Sequence, residues 1–158
     1  MELRHRSWSD RIEQTKVFLQ EHGASLVLID EPKFASSIRQ RFEPVGEILY
    51  FRAHGRNAAN WWNHKDSWER YDYCYSWDEI KEIARKLKGA TSGRPGLGKA
   101  LVFFNNHARG QAAANAFMLQ HELGIPINAS PIEALTSAFP QISDIVLEAV
   151  PPAQKRFF

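Results

Sequence analysis

The chain has 158 residues, of which 44% are hydrophobic and 24% charged, with a formal net charge of only +2. That composition supports one domain with a real core and excludes a disordered chain, and any positive field has to come from local clustering rather than bulk charge. A single cysteine, Cys74, excludes an internal disulfide framework and a Cys-rich zinc site, and no apolar run approaches the ~20 residues of a membrane helix.

The N-terminus, Met1-Glu2-Leu3-Arg4-His5-Arg6, has no apolar stretch of the kind a secretory leader needs, so the cytoplasm is the expected compartment and no membrane partner is expected. Residues 1–5 read as a short strand. Ser7 and Asp10 fit a capping pattern, and Ile12, Phe18 and Leu19 give a weak helical stripe that stops at Gly23. Ser25-Leu26-Val27-Leu28-Ile29 is a continuous apolar run, as in a strand buried on both faces, and ends at Asp30. In residues 34–45 the spacing of Phe34, Ile38 and Phe42 permits a short helix. Residues 47–51 form a second buried-type strand with Arg52-Ala53-His54-Gly55-Arg56 at its end.

Residues 57–75 read as a long loop, and a loop of that length is a candidate for function. It carries Trp61, Trp62, Trp68, Tyr71, Tyr73 and Tyr75. Ser76 and Glu79 form a capping box, Ile80, Ile83, Ala84 and Leu87 line one helix face, and Gly89 is the expected stop. A Gly-rich stretch, 90–98, leads to a strand at 100–104 that ends in Asn105-Asn106-His107. Ala112, Ala116, Leu119 and Leu123 line a helix stopped by Gly124, and a last helix is expected to begin near Pro131.

Strands alternating with helices imply a parallel sheet, in which every strand ends on the same side. The polar residues sit at those ends, so Arg4, Asp30, Arg52, His54, Asn105 and His107 are expected to converge. Gly93-Arg94-Pro95-Gly96-Leu97-Gly98-Lys99 matches GxxxxGK, but it leads into a strand, and Ala100 stands where a phosphate-binding loop needs a hydroxyl for Mg²⁺; it reads as a turn.

Arg52 and His54 share a strand face, and guanidinium forks match phosphate or carboxylate. Gly55 permits either a positive φ or a close backbone approach to a ligand. Glu2 and Arg4 share a face and read either as a structural ion pair or as an anion holder. Asn105, Asn106 and His107 can bind substrate hydroxyls or merely satisfy a turn. No HxH or HExxH spacing supports a metal, so no metal ligand is assigned, and the sequence names no cofactor. Cys74 reads as a small packing residue.

Four blocks carry a resemblance: Glu2-Leu3-Arg4-His5-Arg6-Ser7-Trp8, Tyr50-Phe51-Arg52-Ala53-His54-Gly55-Arg56, Tyr71-Asp72-Tyr73-Cys74-Tyr75-Ser76 and Val102-Phe103-Phe104-Asn105-Asn106-His107, the last continued by Gly110-Gln111-Ala112 and Asn115-Ala116. In this order they resemble the YecE-like proteins, a bacterial and archaeal family of unknown function. The resemblance implies a TIM-like barrel whose matching polar residues gather at the C-terminal barrel face, and it implies no reaction.

The expectation is therefore an α/β chain forming the C-terminal half of a (β/α)8 barrel: one partial domain over residues 1–158, with about four parallel strands and the N-terminal half missing. A small anionic ligand, phosphorylated ones included, would be held by Arg4, Arg52 and Arg56. His54, whose ordinary pKa lies near neutral, would be the general acid–base, oriented by Asp30 or Glu2. Asn105, Asn106, His107, Trp61 and Tyr73 would bind the rest of the substrate. Two alternatives stand beside this reading. One is a nucleic-acid binder using the arginines with Trp61, Trp62 and Tyr71, which the low net charge disfavours. The other is an inactive half-barrel that self-associates or recruits its missing half.

Overall fold

Three continuous apolar runs become three parallel strands: β1 (Val27–Asp30), β2 (Ile48–Ala53) and β3 (Lys99–Phe104), hydrogen-bonded in the order β1-β2-β3. The structure, a computed structural model, describes residues 1–127 and 133–147. Helices α1 (Ser7–Asp10) and α2 (Ile12–Glu21) precede β1; α3 (Trp77–Thr91) joins β2 to β3, and α4 (Gln111–Leu123) follows β3. Two short helices, α5 (Glu133–Ala138) and α6 (Ser143–Leu147), come last, whereas Pro131 lies outside the described residues.

The strand expected at residues 1–5 does not form. The Met1 carbonyl accepts from Val27 N at 2.8 Å, beside β1, and the chain then turns away. The Arg4 carbonyl instead accepts from Ile38 N at 2.7 Å, and Arg6 N donates to the Ser36 carbonyl at 2.8 Å. The only bridge there is an antiparallel one between His5 and Ser37. Three strands, not four, are therefore present among the described residues.

The outward edge of β1 is nonetheless filled. The Gln40 carboxamide accepts from Ile29 N at 3.0 Å and donates to the Val27 carbonyl at 2.8 Å, replacing a strand's peptide group. Lys33 Nζ approaches the Ile29 carbonyl at 3.5 Å. This role for residues 34–45 explains why no helix forms there: the segment lies extended against the edge, sending Ile38 into one core and Phe42 against Phe51, ring centroids 5.2 Å apart.

Alternation along the strands separates two cores. Leu28, Leu49, Phe51 and Val102 face α3 and α4, packing with Ile80, Ile83, Leu87, Met118 and Leu119. Fully burying each such side chain stabilises by about 1.5–3 kcal/mol. Val27 and Ile29 point the other way and pack with Leu3, Leu19, Leu26, Ile38 and Val45. Beyond β1 that second face is more open: Tyr50 is half-buried and stacks on Phe103 at 5.1 Å, while Phe103 is 46% exposed. Leu28, Leu49 and Val102 thus face the helices, and Tyr50 and Phe103 occupy the open face.

Helix boundaries follow local chemistry. The Ser76–Glu79 capping box opens α3 as expected, but the helix runs past Gly89 to Thr91, because one glycine in the last turn weakens a helix without breaking it. Neither Ser7 nor Asp10 caps α1 or α2; Asp10 pairs with Arg6 at 3.2 Å instead. Gly124, at φ 69°, closes α4. The GxxxxGK segment is a turn whose Gly98 N donates to the Glu47 carbonyl at 2.9 Å on the way into β3.

Candidate functional site

The hydrogen-bond ladder continues one residue past the strands, with His54 N donating to the Asp30 carbonyl at 2.8 Å and Asn105 N to the Ala53 carbonyl at 2.7 Å. Alternation then sorts the polar residues. Asp30 aligns with Ala53 and faces α3, whereas Arg52 aligns with Ile29 and faces the open side. Two charge clusters result, side by side at the C-terminal ends of the strands.

On the open side, Glu2 is the hub. Its Oε1 accepts from Arg4 Nε at 2.7 Å, and its Oε2 from Arg52 Nη1 at 2.5 Å. Arg4 Nη1 also reaches buried Glu31 at 3.1 Å, and Arg52 Nε donates to Asn105 Oδ1 at 3.1 Å. Burial pushes the Glu2 carboxyl up, but the hydrogen bonds and charges of Arg52 and Arg4 outweigh it and hold Glu2 below the usual range. Glu31, more deeply desolvated, is raised despite Arg4.

On the α3 side, the Arg56 fork grips Asp30 at 2.8 and 2.7 Å and donates through Nη1 to Glu79 at 2.8 Å. The Tyr75 hydroxyl donates to Asp30 Oδ1 at 2.9 Å and accepts from Gly55 N at 2.9 Å; Tyr73 donates to Glu79 at 2.7 Å. The hydrogen bonds with Asp30 hold Arg56 firmly protonated, and burial together with Glu79 pushes the Tyr73 phenol up to about 12. Gly55 has φ 89°, and a Cβ there would stand 2.8 Å from Tyr73 Cβ. The close approach that Gly55 permits is to Tyr73, and its positive φ is the other half of its role.

His54 is 1% exposed. Arg4 Nη2 lies 3.0 Å from His54 Nε2, and a guanidinium can only donate, so Nε2 accepts. Burial, then the charge of Arg4, lowers the ring's pKa to about 4, with Glu2 pulling the other way and Arg52 adding to the lowering. The imidazole is therefore neutral and carries its proton on Nδ1, which has no hydrogen-bond partner among the described residues. The expected near-neutral general acid–base is corrected: burial beside a cation removes that property, and the nitrogen left over is a donor.

Tyr71 stands over this ring at 6.1 Å, with His107 at 5.4 Å and buried Trp61 at 6.1 Å around it. His107 Nδ1 donates to the Asn105 carbonyl at 2.9 Å. The loop closes on itself through Asn57, which donates to the carbonyls of Glu69 and Asp72 at 3.1 Å each. From below it is held by α4, one helical turn supplying two carboxamides. Gln111 Oε1 accepts from Tyr73 N at 2.9 Å, and Asn115 grips both the N–H and the carbonyl of Tyr75, at 3.0 and 2.9 Å. Buried Asn106 joins this scaffold, donating to the Tyr73 carbonyl and Asn115, both at 2.8 Å.

Of the sequence candidates, Glu2, Arg4, Arg52, His54 and Asn105 meet on the open side, with His107 across Tyr71. Asp30, Arg56 and Tyr73 fall in the α3-side cluster, Trp61 lies beneath Tyr71, and Asn106 turns toward α4. The sequence reading missed Glu31 and Glu79 as members of this region, named Tyr71 only as a stacking ring of the nucleic-acid alternative, and gave Tyr75, Gln111 and Asn115, though they lie in the resemblance blocks, no role of their own. Glu79 was visible only as a cap, and the i, i+4 spacing of Gln111 and Asn115 on an otherwise apolar helix was the available signal. Their presence moves the buried face of α4 from the expected Ala112–Ala116 stripe to Gln111, Ala114, Asn115, Met118 and Leu119. Among the described residues no three His, Cys, Asp or Glu side chains form a metal-binding group.

The family described as "Protein of unknown function DUF72" matches residues 1–138, and the chain belongs to it. No curated protein matches. A DUF72 family protein from Thermotoga maritima is 39% identical with a TM-score of 0.67, over 77% of this chain and 44% of that one. A DUF72 family protein from Enterococcus faecalis gives 29% identity and a TM-score of 0.69, over 84% of this chain and 50% of that one. The chain thus spans half or less of the length of these solved relatives. No helix of the described residues is long and apolar enough to cross a membrane.

Proposed function

We propose that this DUF72 chain binds a small organic or inorganic oxyanion at the C-terminal ends of β2 and β3, with Arg52 as its charged anchor. One observation carries the reading. Arg4 and Arg56 have all three guanidinium nitrogens engaged, largely by carboxylates, whereas Arg52 Nη2 has no hydrogen-bond partner among the described residues. A half-exposed guanidinium with free N–H groups, beside Asn105, is suited to a phosphate or carboxylate. Glu2 and Asp30 are each bound by arginine and His54 is a neutral donor, so the geometry supports binding better than proton abstraction.

The three-stranded sheet is read as the C-terminal half of a (β/α)8 barrel. Its parallel order, its α3 crossover, the open face at Tyr50 and Phe103, and the share of the solved relatives it spans support this. A second reading, single-stranded nucleic acid, is favoured by Trp62 at 70% and Trp68 at 41% exposure, which offer stacking surfaces.

Calorimetric titration with inorganic phosphate and sulfate tests the site. Arg52→Ala should weaken binding at least about tenfold, and Arg56→Lys should leave it unchanged. Equal affinity in wild type and Arg52→Ala removes the anchor. Binding of oligonucleotide that falls steeply with salt, without any small-anion binding, favours the second reading.

A further inference from the structure

We infer that His54 offers its Nδ1–H to a hydroxyl or carbonyl oxygen of the same molecule whose oxyanion rests on Arg52, which makes the ligand a hydroxylated or oxo-bearing organic anion rather than a bare inorganic one. The inference rests on the reading of Arg52 as the anchor and adds a second, neutral contact to it.

The tautomer follows from geometry. Nε2 of His54 is committed as an acceptor to Arg4 Nη2 at 3.0 Å, because a guanidinium has donors only. The remaining ring nitrogen therefore holds the proton, and it is buried without an acceptor among the described residues. Buried donors are almost always paired, and one left open beside a cluster of charged groups calls for a partner. A neutral donor selects an oxygen such as a hydroxyl or carbonyl, while the charge falls to Arg52.

The spacing fits one molecule. Arg52 and His54 are alternate residues on one face at the end of β2, about 7 Å apart along the chain. Both lie against Glu2: Arg52 Nη1 donates to Oε2 at 2.5 Å, and His54 Nε2 stands 3.5 Å from Oε1 without bonding to it. An oxyanion and an oxygen a few carbon atoms away span that interval. The half-buried ring of Tyr71, 6.1 Å from the imidazole and 5.4 Å from His107, offers an apolar face for the intervening carbons and would have to turn aside to admit them.

The test compares glycerol 3-phosphate with n-propyl phosphate, which has the same oxyanion and no hydroxyls, by calorimetry on the whole chain. 3-Hydroxybutyrate against butyrate repeats the comparison with a carboxylate. In at least one pair the hydroxylated member should bind about tenfold or more tightly. His54→Gln keeps an acceptor toward Arg4 but no donor at the Nδ1 position, so it should abolish the preference for the hydroxylated member. Nitrogen-15 NMR of the His54 ring in the wild type gives a readout that needs no variant: the Nδ1–H resonance should shift with the hydroxylated ligand and not with the plain one. No preference in either pair, a preference that survives His54→Gln, or an identical Nδ1–H response to both members overturns the inference. Unchanged binding of all four compounds in Arg52→Ala would instead overturn the anchor itself.

Discussion

Arg4 Nη2 donates to His54 Nε2 across 3.0 Å, and this contact between the chain's fourth residue and the end of β2 decides which nitrogen of the imidazole carries its proton. It also sets how the fold responds to acid.

The His54 ring has a pKa of about 4 in the folded chain against an ordinary 6.5. The unfolded chain binds the extra proton first, so stability falls as pH drops from about 6.5 to about 4, by something on the order of 3 kcal/mol. Glu31 is raised by burial and contributes with the opposite sign above the ordinary carboxylate range, so the wild-type curve alone mixes the two. Urea unfolding at a series of pH values, in wild type and His54→Gln, separates them: the slope between pH 6.5 and 4 should flatten in the variant. A parallel pair of curves would show that His54 is not buried neutral.

Gly55→Ala should destabilise by about 2–4 kcal/mol, because the new methyl meets both a positive φ and a Cβ contact with Tyr73. Gly96→Ala is the matched control. It has nearly the same φ, 88° against 89°, with no heavy atom within 4 Å of the added methyl. Its cost should stay near 1 kcal/mol, the price of backbone strain alone. Equal losses in thermal or urea unfolding would mean that the approach of Tyr73 to residue 55 is not tight.

Asn115→Ala strands the N–H and the carbonyl of Tyr75 and one amide hydrogen of Asn106 in a buried setting, and should cost about 2–4 kcal/mol. Gln111→Ala frees only Tyr73 N and an Asp72 oxygen at the rim, and should cost about 1 kcal/mol. Hydrogen exchange is the sharper measurement: the Tyr75 amide should lose protection in Asn115→Ala and keep most of it in Gln111→Ala.

If the open face is part of a larger barrel, this chain in isolation should cover Tyr50 and Phe103 by association. Size-exclusion chromatography with light scattering should then give a mass above the 18.1 kDa of one chain, and Phe103→Asp should shift it toward the monomer. A wild-type monomer that unfolds cooperatively would remove the half-barrel reading.

The strands were legible because each is an uninterrupted apolar run, and the polar residues at their ends were legible because a parallel sheet puts those ends together. Register was not. Nothing in the sequence aligns Asp30 with Ala53 rather than Arg52, and that one-residue difference sends Asp30 to Arg56 and Tyr75 instead of to His54. The first strand failed for a related reason: residues 1–5 have a strand's local pattern, but Arg4 and Arg6 bond to residues 36–38, a tertiary choice that no local pattern records. Gln40 is the extreme case. A single glutamine in an irregular segment carries no signal, yet it closes a sheet edge. Arg52 and Arg56 were legible at the end of β2, but the saturation of Arg4 and Arg56 depended on Glu31 and Glu79, which the sequence presents as a loop residue and a helix cap.

The Gln40 carboxamide has a consequence for growth. With Met1, Gln40 and Lys33 occupying every outward-facing polar group of β1, a further strand adds freely to the described sheet at β3, and at β1 only by displacing Gln40. Two copies meeting there about a two-fold axis would consume each other's last free edge, and the assembly would stop at a pair. A chain with one capped border and one open one cannot propagate as a filament by edge addition. Gln40→Ala would free Ile29 N and the Val27 carbonyl and open part of the second border, so two hydrogen bonds of one side chain help to keep this sheet from growing on that side.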